Sequence, residues 1–208
     1  MRAIGLKAEK VSKNFNRRNV LRDISFVLSP GDSLAVTGKN GSGKSTLVKI
    51  LAGLLSPTNG HVAFEASGRM LNQEEIRPLL GFVSPYLQLY DEFSAVEILN
   101  IVARIRSSGA HDPSRRRMLM EQFNLWGRKD DVVRTFSSGM KQRLKYILAL
   151  EHSPAVLLLD EPTANLDEDG ISAVRSVVAG YGKSGILVVA TNDAAEAGWC
   201  SSELKVGN

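Results

Sequence analysis

Residues 38–46, read as Gly38-Lys39-Asn40-Gly41-Ser42-Gly43-Lys44-Ser45-Thr46, constrain this chain more than any other stretch. Glycine lacks a Cβ, so the three glycines let the backbone curl until successive N–H groups point at one centre. An apolar run, Ser33-Leu34-Ala35-Val36-Thr37, precedes the loop, and a helical pattern, Leu47-Val48-Lys49-Ile50-Leu51, follows it. Strand, glycine-rich loop and helix in that order form a cradle for phosphate, with the positive end of the helix dipole behind it. In such a cradle the Lys44 ammonium reaches the β- and γ-phosphates and the Ser45 hydroxyl faces Mg²⁺. All of residues 38–46, Thr46 included, are therefore expected at a bound nucleoside triphosphate, and Lys44 is expected to act in its chemistry.

The loop alone does not choose a function, because kinases, GTPases, helicases and transport ATPases share it. The rest of the chain narrows the choice. Its 208 residues suit one α/β domain with a small subdomain. The 43% hydrophobic content can fill a core, and the net charge of +4 (26 basic minus 22 acidic residues) is too small to argue for nucleic acid. One cysteine, Cys200, excludes an internal disulfide and fits a reducing compartment. No apolar run is long enough to span a membrane, and the first residues lack a signal-peptide core. Any membrane spans must then come from another chain.

Strands are expected near 4–11, 24–28, 33–37, 61–64, 81–84, 155–159, 185–190 and 203–206. Helices are expected near 44–54 and 167–180, with a short one after 190. Ala95, Ile98, Leu99, Val102 and Ile105 recur at helical spacing, and Pro113 opens a second helix. The pattern predicts a mostly parallel central sheet, an N-terminal antiparallel layer and a helical insertion over about 86–136, all in one domain spanning 1–208. The basic run Arg115-Arg116-Arg117 and the alternating Lys141, Arg143 and Lys145 read as solvated helix faces. Aromatic interleaving that would favour nucleic acid is missing around them.

Two further motifs carry chemistry. Val156-Leu157-Leu158-Leu159 reads as a buried strand that ends in Asp160 and Glu161. Asp160 at the tip can hold Mg²⁺ opposite Ser45, and Glu161 can polarise a water for in-line attack on the γ-phosphate. Phe136-Ser137-Ser138-Gly139-Met140 stands at a helix start about twenty residues earlier. It resembles the signature motif of ABC-type ATPases, usually written Leu-Ser-Gly-Gly-Gln, with Ser137 and Gly139 in matching places. Ala164-Asn165-Leu166-Asp167 resembles that family's D-loop, and Val11-Ser12-Lys13 and Val20-Leu21-Arg22-Asp23-Ile24-Ser25 follow its pattern. Phe15 lies where the family places an aromatic on the adenine, although a core role is equally open.

The chain thus resembles the ATP-binding subunit of an ABC transporter, with the P-loop NTPase fold. The resemblance implies ATP and Mg²⁺ as cofactors and a second ABC ATPase subunit whose Ser137, Ser138 and Gly139 cap the nucleotide held by the first. It also implies a multi-span membrane permease, a location on the cytoplasmic face of the membrane, and no nucleic-acid partner. The small size and the end after Val206 resemble compact exporter-type members. Two positions depart from the family pattern. Asn192 stands where a histidine contacts the γ-phosphate, so slower hydrolysis is expected. Pro85 stands where a glutamine is usual, and Gln88 is the candidate to reach the metal instead. Within the same loop, Leu89 and Phe93 are expected to pack inward, leaving Tyr86 and Tyr90 to dock a helix of the membrane subunit. Two other readings stay open: a soluble ABC-type ATPase acting on nucleic acid or ribosomes, and a nucleotide-gated regulator with little turnover.

Overall fold

The structure, a computed structural model, describes residues 4–16, 18–106, 112–181 and 185–207. The chain opens with β1 (Ile4–Phe15) and β2 (Arg18–Leu28), then runs through β3 (Ser33–Thr37) into α1 (Lys44–Leu51). It returns in β4 (Asn59–Ala66) and β5 (Arg69–Met70), and α2 (Gln73–Ile76) leads to β6 (Leu80–Val83). Three helices follow: α3 (Ala95–Arg106), α4 (Pro113–Gln122) and α5 (Ser138–Leu150). The rest alternates as β7 (Val156–Asp160), α6 (Glu168–Tyr181), β8 (Ile186–Ala190), α7 (Ala194–Ala197) and β9 (Ser202–Lys205).

These strands form two sheets. One is antiparallel in the order β2-β1-β4-β5, and the other runs β6-β7-β8-β3-β9 with every pairing parallel. Side chains alternate across the parallel sheet, and both faces are apolar. Val156 and Leu158 of β7, with Val188 of β8 and Val36 of β3, face a core shared with α1 and the antiparallel sheet. Leu157 and Leu159, with Leu187 and Val189, face a second core shared with α3, α4, α5 and α6. That double burial is why these strands read as unbroken aliphatic runs rather than alternating ones. Each buried leucine or valine contributes roughly 1.5–3 kcal/mol of apolar burial.

Local signals fix the helix starts. Pro113 sits at the first turn of α4, where a missing N–H costs nothing, and the Asp112 carboxylate accepts from the N–H groups of Ser114 (2.9 Å) and Arg115 (3.3 Å). Ser137 caps α5 by accepting from the Met140 N–H at 3.2 Å. Asn72 and Glu75 close α2 with a reciprocal capping box.

Three surface readings are corrected. Arg115 and Arg116 are not a solvated face. Arg116 is buried, ion-paired to Glu151 at 2.5 Å and bonded to Asn100 at 2.6 Å, while Arg115 donates to the carbonyls of Leu150 and Glu151. Only Arg117 of the three lies outward, paired with Glu121. Consecutive helical residues point about 100° apart, so three adjacent arginines cannot share one face. Arg143 and Lys145 are likewise buried, because α5 is enclosed on nearly every side. Phe93, expected inside, is 39% exposed and meets Tyr90 edge-on, with ring centroids 6.3 Å apart, whereas Leu89 does pack on the second core.

Candidate functional site

The glycine-rich loop sits between the end of β3 and the start of α1, at the carboxyl edge of the parallel sheet. Gly38, Gly41 and Gly43 have φ of 146°, 78° and 107°, so all three occupy the left-handed region that side chains avoid. A Cβ on Gly38 would come within 2.3 Å of the Val206 carbonyl oxygen, so that site excludes any side chain. The Lys44 ammonium lies folded back over the loop, donating to the carbonyls of Gly38 (2.8 Å) and Lys39 (3.2 Å). The Ser42 hydroxyl oxygen is buried without a hydrogen-bond partner. An unpaired buried hydroxyl is costly, and a phosphate oxygen in the loop would relieve it.

β7 delivers Asp160 to the same edge, fully buried. Ser45 donates its hydroxyl to Asp160 Oδ1 at 2.8 Å, and Ser84, just after β6, donates to Oδ2 at 3.2 Å. A carboxylate flanked by two hydroxyls is a hard-oxygen donor set. It fits Mg²⁺, which takes few protein ligands and completes its shell with water and phosphate. Among the described residues no cluster of three His, Cys, Asp or Glu side chains exists that would hold a metal without a nucleotide.

Glu161 follows at φ 49°, held by its N–H on the Ala190 carbonyl at 2.8 Å. This left-handed residue ends the strand directly after the buried Asp160. Asn192 follows β8 and donates its amide to Asn40 Oδ1 at 2.9 Å, which brings it to the rim of the phosphate loop. Phe15 is 44% exposed, with the Lys13 ammonium 5.1 Å from its ring centre, so it is no core residue. Ser137, Ser138 and Gly139 open α5 beside the segment 164–167, and a Cβ on Gly139 would meet the Asn165 carbonyl oxygen at 3.0 Å.

Gln88 does not take the expected place. It is exposed, and no hydrogen bond links it to Asp160; the second oxygen of that carboxylate belongs to Ser84. Sequence reasoning missed Ser84 because a lone serine after a strand carries no signal of its distant partner. Glu196 was missed as well. Buried in α7, it accepts from the Thr163 N–H at 3.2 Å and from the hydroxyls of Thr163 and Thr191. It thereby ties the turn after Glu161 to the strand end that carries Asn192.

The family model for ABC transporters matches residues 21–164, more than half of the chain and all of the geometry from the phosphate loop to the acidic pair. The chain belongs to the ABC transporter family. It is an ATP-binding, ATP-hydrolysing subunit of that family. The lantibiotic transport ATP-binding protein SrtF of Streptococcus pyogenes is 33% identical over 184 residues, covering 88% of this chain and 78% of the relative. The lipoprotein-releasing system ATP-binding protein LolD of Legionella pneumophila (strain Paris) is 32% identical over 205 residues, covering 93% and 90%. Among solved structures, an ATP-binding subunit of an ABC transporter superposes with a TM-score of 0.86 at 29% identity, covering 97% of this chain and 85% of that one. An ATP-binding cassette dimer in a post-hydrolysis state, bound to ADP and Pi, shares the fold with a TM-score of 0.82 at 23% identity, covering 97% and 94%. No described helix of this ABC subunit is long and apolar enough to cross a membrane.

Proposed function

We propose that this ABC subunit works as half of a two-chain ATPase that drives a membrane permease, with export the favoured direction. The observation that carries the reading is the 2.8 Å bond between Ser45 of the phosphate loop and Asp160 of the acidic pair. Two segments far apart in sequence meet there, and Ser45 and Asp160 are the residues that would hold Mg²⁺.

In this reading residues 38–46 wrap the phosphates, and Lys44 leaves its two carbonyls for the β- and γ-phosphate oxygens. Bound Mg²⁺ would be held by Ser45 and Asp160, and its charge would offset that developing on the phosphates. Glu161 orients and deprotonates the attacking water. Asn192 can donate a neutral hydrogen bond toward the γ-phosphate but cannot carry a charge, which slows the step. Phe15, exposed on the antiparallel sheet, offers its face to the adenine.

A second ABC subunit supplies Ser137, Ser138 and Gly139 across the site. ATP closes the pair, and loss of the γ-phosphate contacts opens it. The permease would dock on the exposed Tyr86 (66%) and Tyr90 (71%), which places the pair at the cytoplasmic face of the membrane. The relative named for a lipoprotein-releasing system supports an outward direction, and one named for hemin import, 31% identical, stands on the other side.

The experiment is Glu161→Gln. It should cut steady-state ATP turnover at least about 100-fold and leave an ATP-bound dimer stable in size-exclusion chromatography. A variant that stays monomeric in saturating ATP, or still turns over at the wild-type rate, would refute the reading.

A further inference from the structure

One buried cation outside the phosphate loop reaches the metal side of the site. Lys145 of α5 is 8% exposed, and its Nζ donates to the carbonyls of Pro85 (2.8 Å) and Ser84 (3.3 Å). Ser84 is 1% exposed, and its hydroxyl is the one on Asp160 Oδ2. The links therefore run unbroken from Lys145 through Ser84 and Asp160 to Ser45. Proline has no N–H, so the loop cannot tie itself down through residue 85. Both carbonyls meet one ammonium; the Ser84 carbonyl also accepts from the Leu87 N–H at 3.3 Å and the Ser84 hydroxyl from the Tyr86 N–H at 3.4 Å, so the lysine reinforces a turn that the loop makes around residue 85. Burying that ammonium is costly unless its N–H groups are spent, so the contact demands a fixed loop. One turn earlier on the same helix, Lys141 bonds both oxygens of Asp91 at 2.8 and 2.9 Å, so α5 grips this loop at both ends.

We infer that Lys145 is a positioning residue for the ATPase: it fixes the backbone of Ser84 and Pro85 so that the Ser84 hydroxyl holds the Asp160 carboxylate in the orientation seen here. The inference rests on the reading of Asp160 and Ser45 as the metal-side pair. Lys145 itself touches neither nucleotide nor metal. Its effect appears in how much Mg²⁺ the site needs, not in nucleotide binding without metal.

The test measures binding of a fluorescent ATP analogue to the full chain as Mg²⁺ is raised from zero. Lys145→Met keeps the stem and removes the donors. It should raise the Mg²⁺ concentration at half-maximal effect about fivefold, the value of one lost hydrogen bond. Ser84→Ala should do the same, and the double variant should shift no further than either single one, since both act through one link. Binding in EDTA should stay unchanged in all three. A Lys145→Met midpoint within about twofold of wild type, or single effects that multiply in the double variant, overturns the inference while leaving the metal reading standing. An unchanged midpoint in Asp160→Asn overturns the metal reading and the inference with it. Should Lys145→Met lack a cooperative melting transition, Lys145→Leu, which likewise has no donor, is held to the same criteria.

Discussion

Replacing His152 by glutamine should remove an acid-sensitive joint between the helical insertion and the parallel sheet. His152 lies just past α5, between the end of α3 and the start of β6. Its Nε2 faces the Leu80 carbonyl at 3.0 Å, and a carbonyl only accepts, so that nitrogen carries the hydrogen. Nδ1 then accepts from Arg106 Nη1 at 2.7 Å. A second proton on Nδ1 would point at a guanidinium. Burial first, and the charge of Arg106 second, hold the imidazole pKa down from its ordinary 6.5 to about 4; Arg115 adds to this and the Leu80 carbonyl opposes it. The unfolded chain therefore binds this proton at higher pH than the folded one. Stability is full above pH 6.5 and is lost as pH falls toward 4. Between pH 7 and pH 5 a single such group changes stability by about 2 kcal/mol, or about 1–2 once its partial contact with water is discounted. Glutamine can accept from Arg106 and donate to Leu80 without titrating. Urea unfolding of wild type and His152→Gln at the two pH values measures the difference. The variant should lose about 1–2 kcal/mol less than wild type on acidification; an equal loss in both refutes the assigned protonation state.

The other expectations concern separate parts of the molecule. Asn192→His should raise steady-state ATP turnover several-fold by restoring a chargeable group at the loop rim; an unchanged or lower rate rejects the role given to Asn192. Arg116→Met removes the buried guanidinium from its bonds to Glu151 and Asn100 and should cost about 2 kcal/mol in urea unfolding, whereas Arg117→Ala, at an exposed pair, should change stability by under about 0.5 kcal/mol. Tyr86→Ser combined with Tyr90→Ser should abolish co-purification with the membrane partner while the ATPase rate of the isolated chain stays within about twofold, and retained co-purification counts against that docking surface.

The phosphate loop and the acidic pair were legible in the sequence for a physical reason. The loop is built by contiguous backbone, so its glycines must appear at fixed spacing, and the pair must follow directly on a strand buried on both faces. The parallel sheet was legible for the same reason, since double burial writes a continuous aliphatic run such as 156–159. What stayed hidden depends on partners distant in sequence. Ser84 looks like any serine until β6 and β7 pair and bring it to Asp160. Lys145 and Arg116 look like surface charges, because a helix wheel cannot show which carbonyls or carboxylates arrive from other elements to meet them. Gln88 illustrates the converse: its residue type suits a metal, but the loop turns it outward.

Apart from Glu196, most of the polar groups that escaped sequence reading meet at α5, and that convergence has a mechanical consequence. From its cap at Ser137, this one helix bonds Asp91 through Lys141, Asp167 through Arg143, Ser84 and Pro85 through Lys145, and the Pro162 carbonyl through the Tyr146 hydroxyl at 2.7 Å. Asp91 and Pro85 bracket the exposed tyrosines, and Pro162 and Asp167 bracket the segment that follows Glu161. Tyr146 is fully buried and stacked on Phe123, with ring centres 5.4 Å apart, so the helix cannot slide without breaking a packed core. The tyrosine loop, the Ser84 backbone beside Asp160 and the turn after Glu161 are therefore all bonded to one packed helix, so a shift of any one of them relative to the others must break a hydrogen bond to α5.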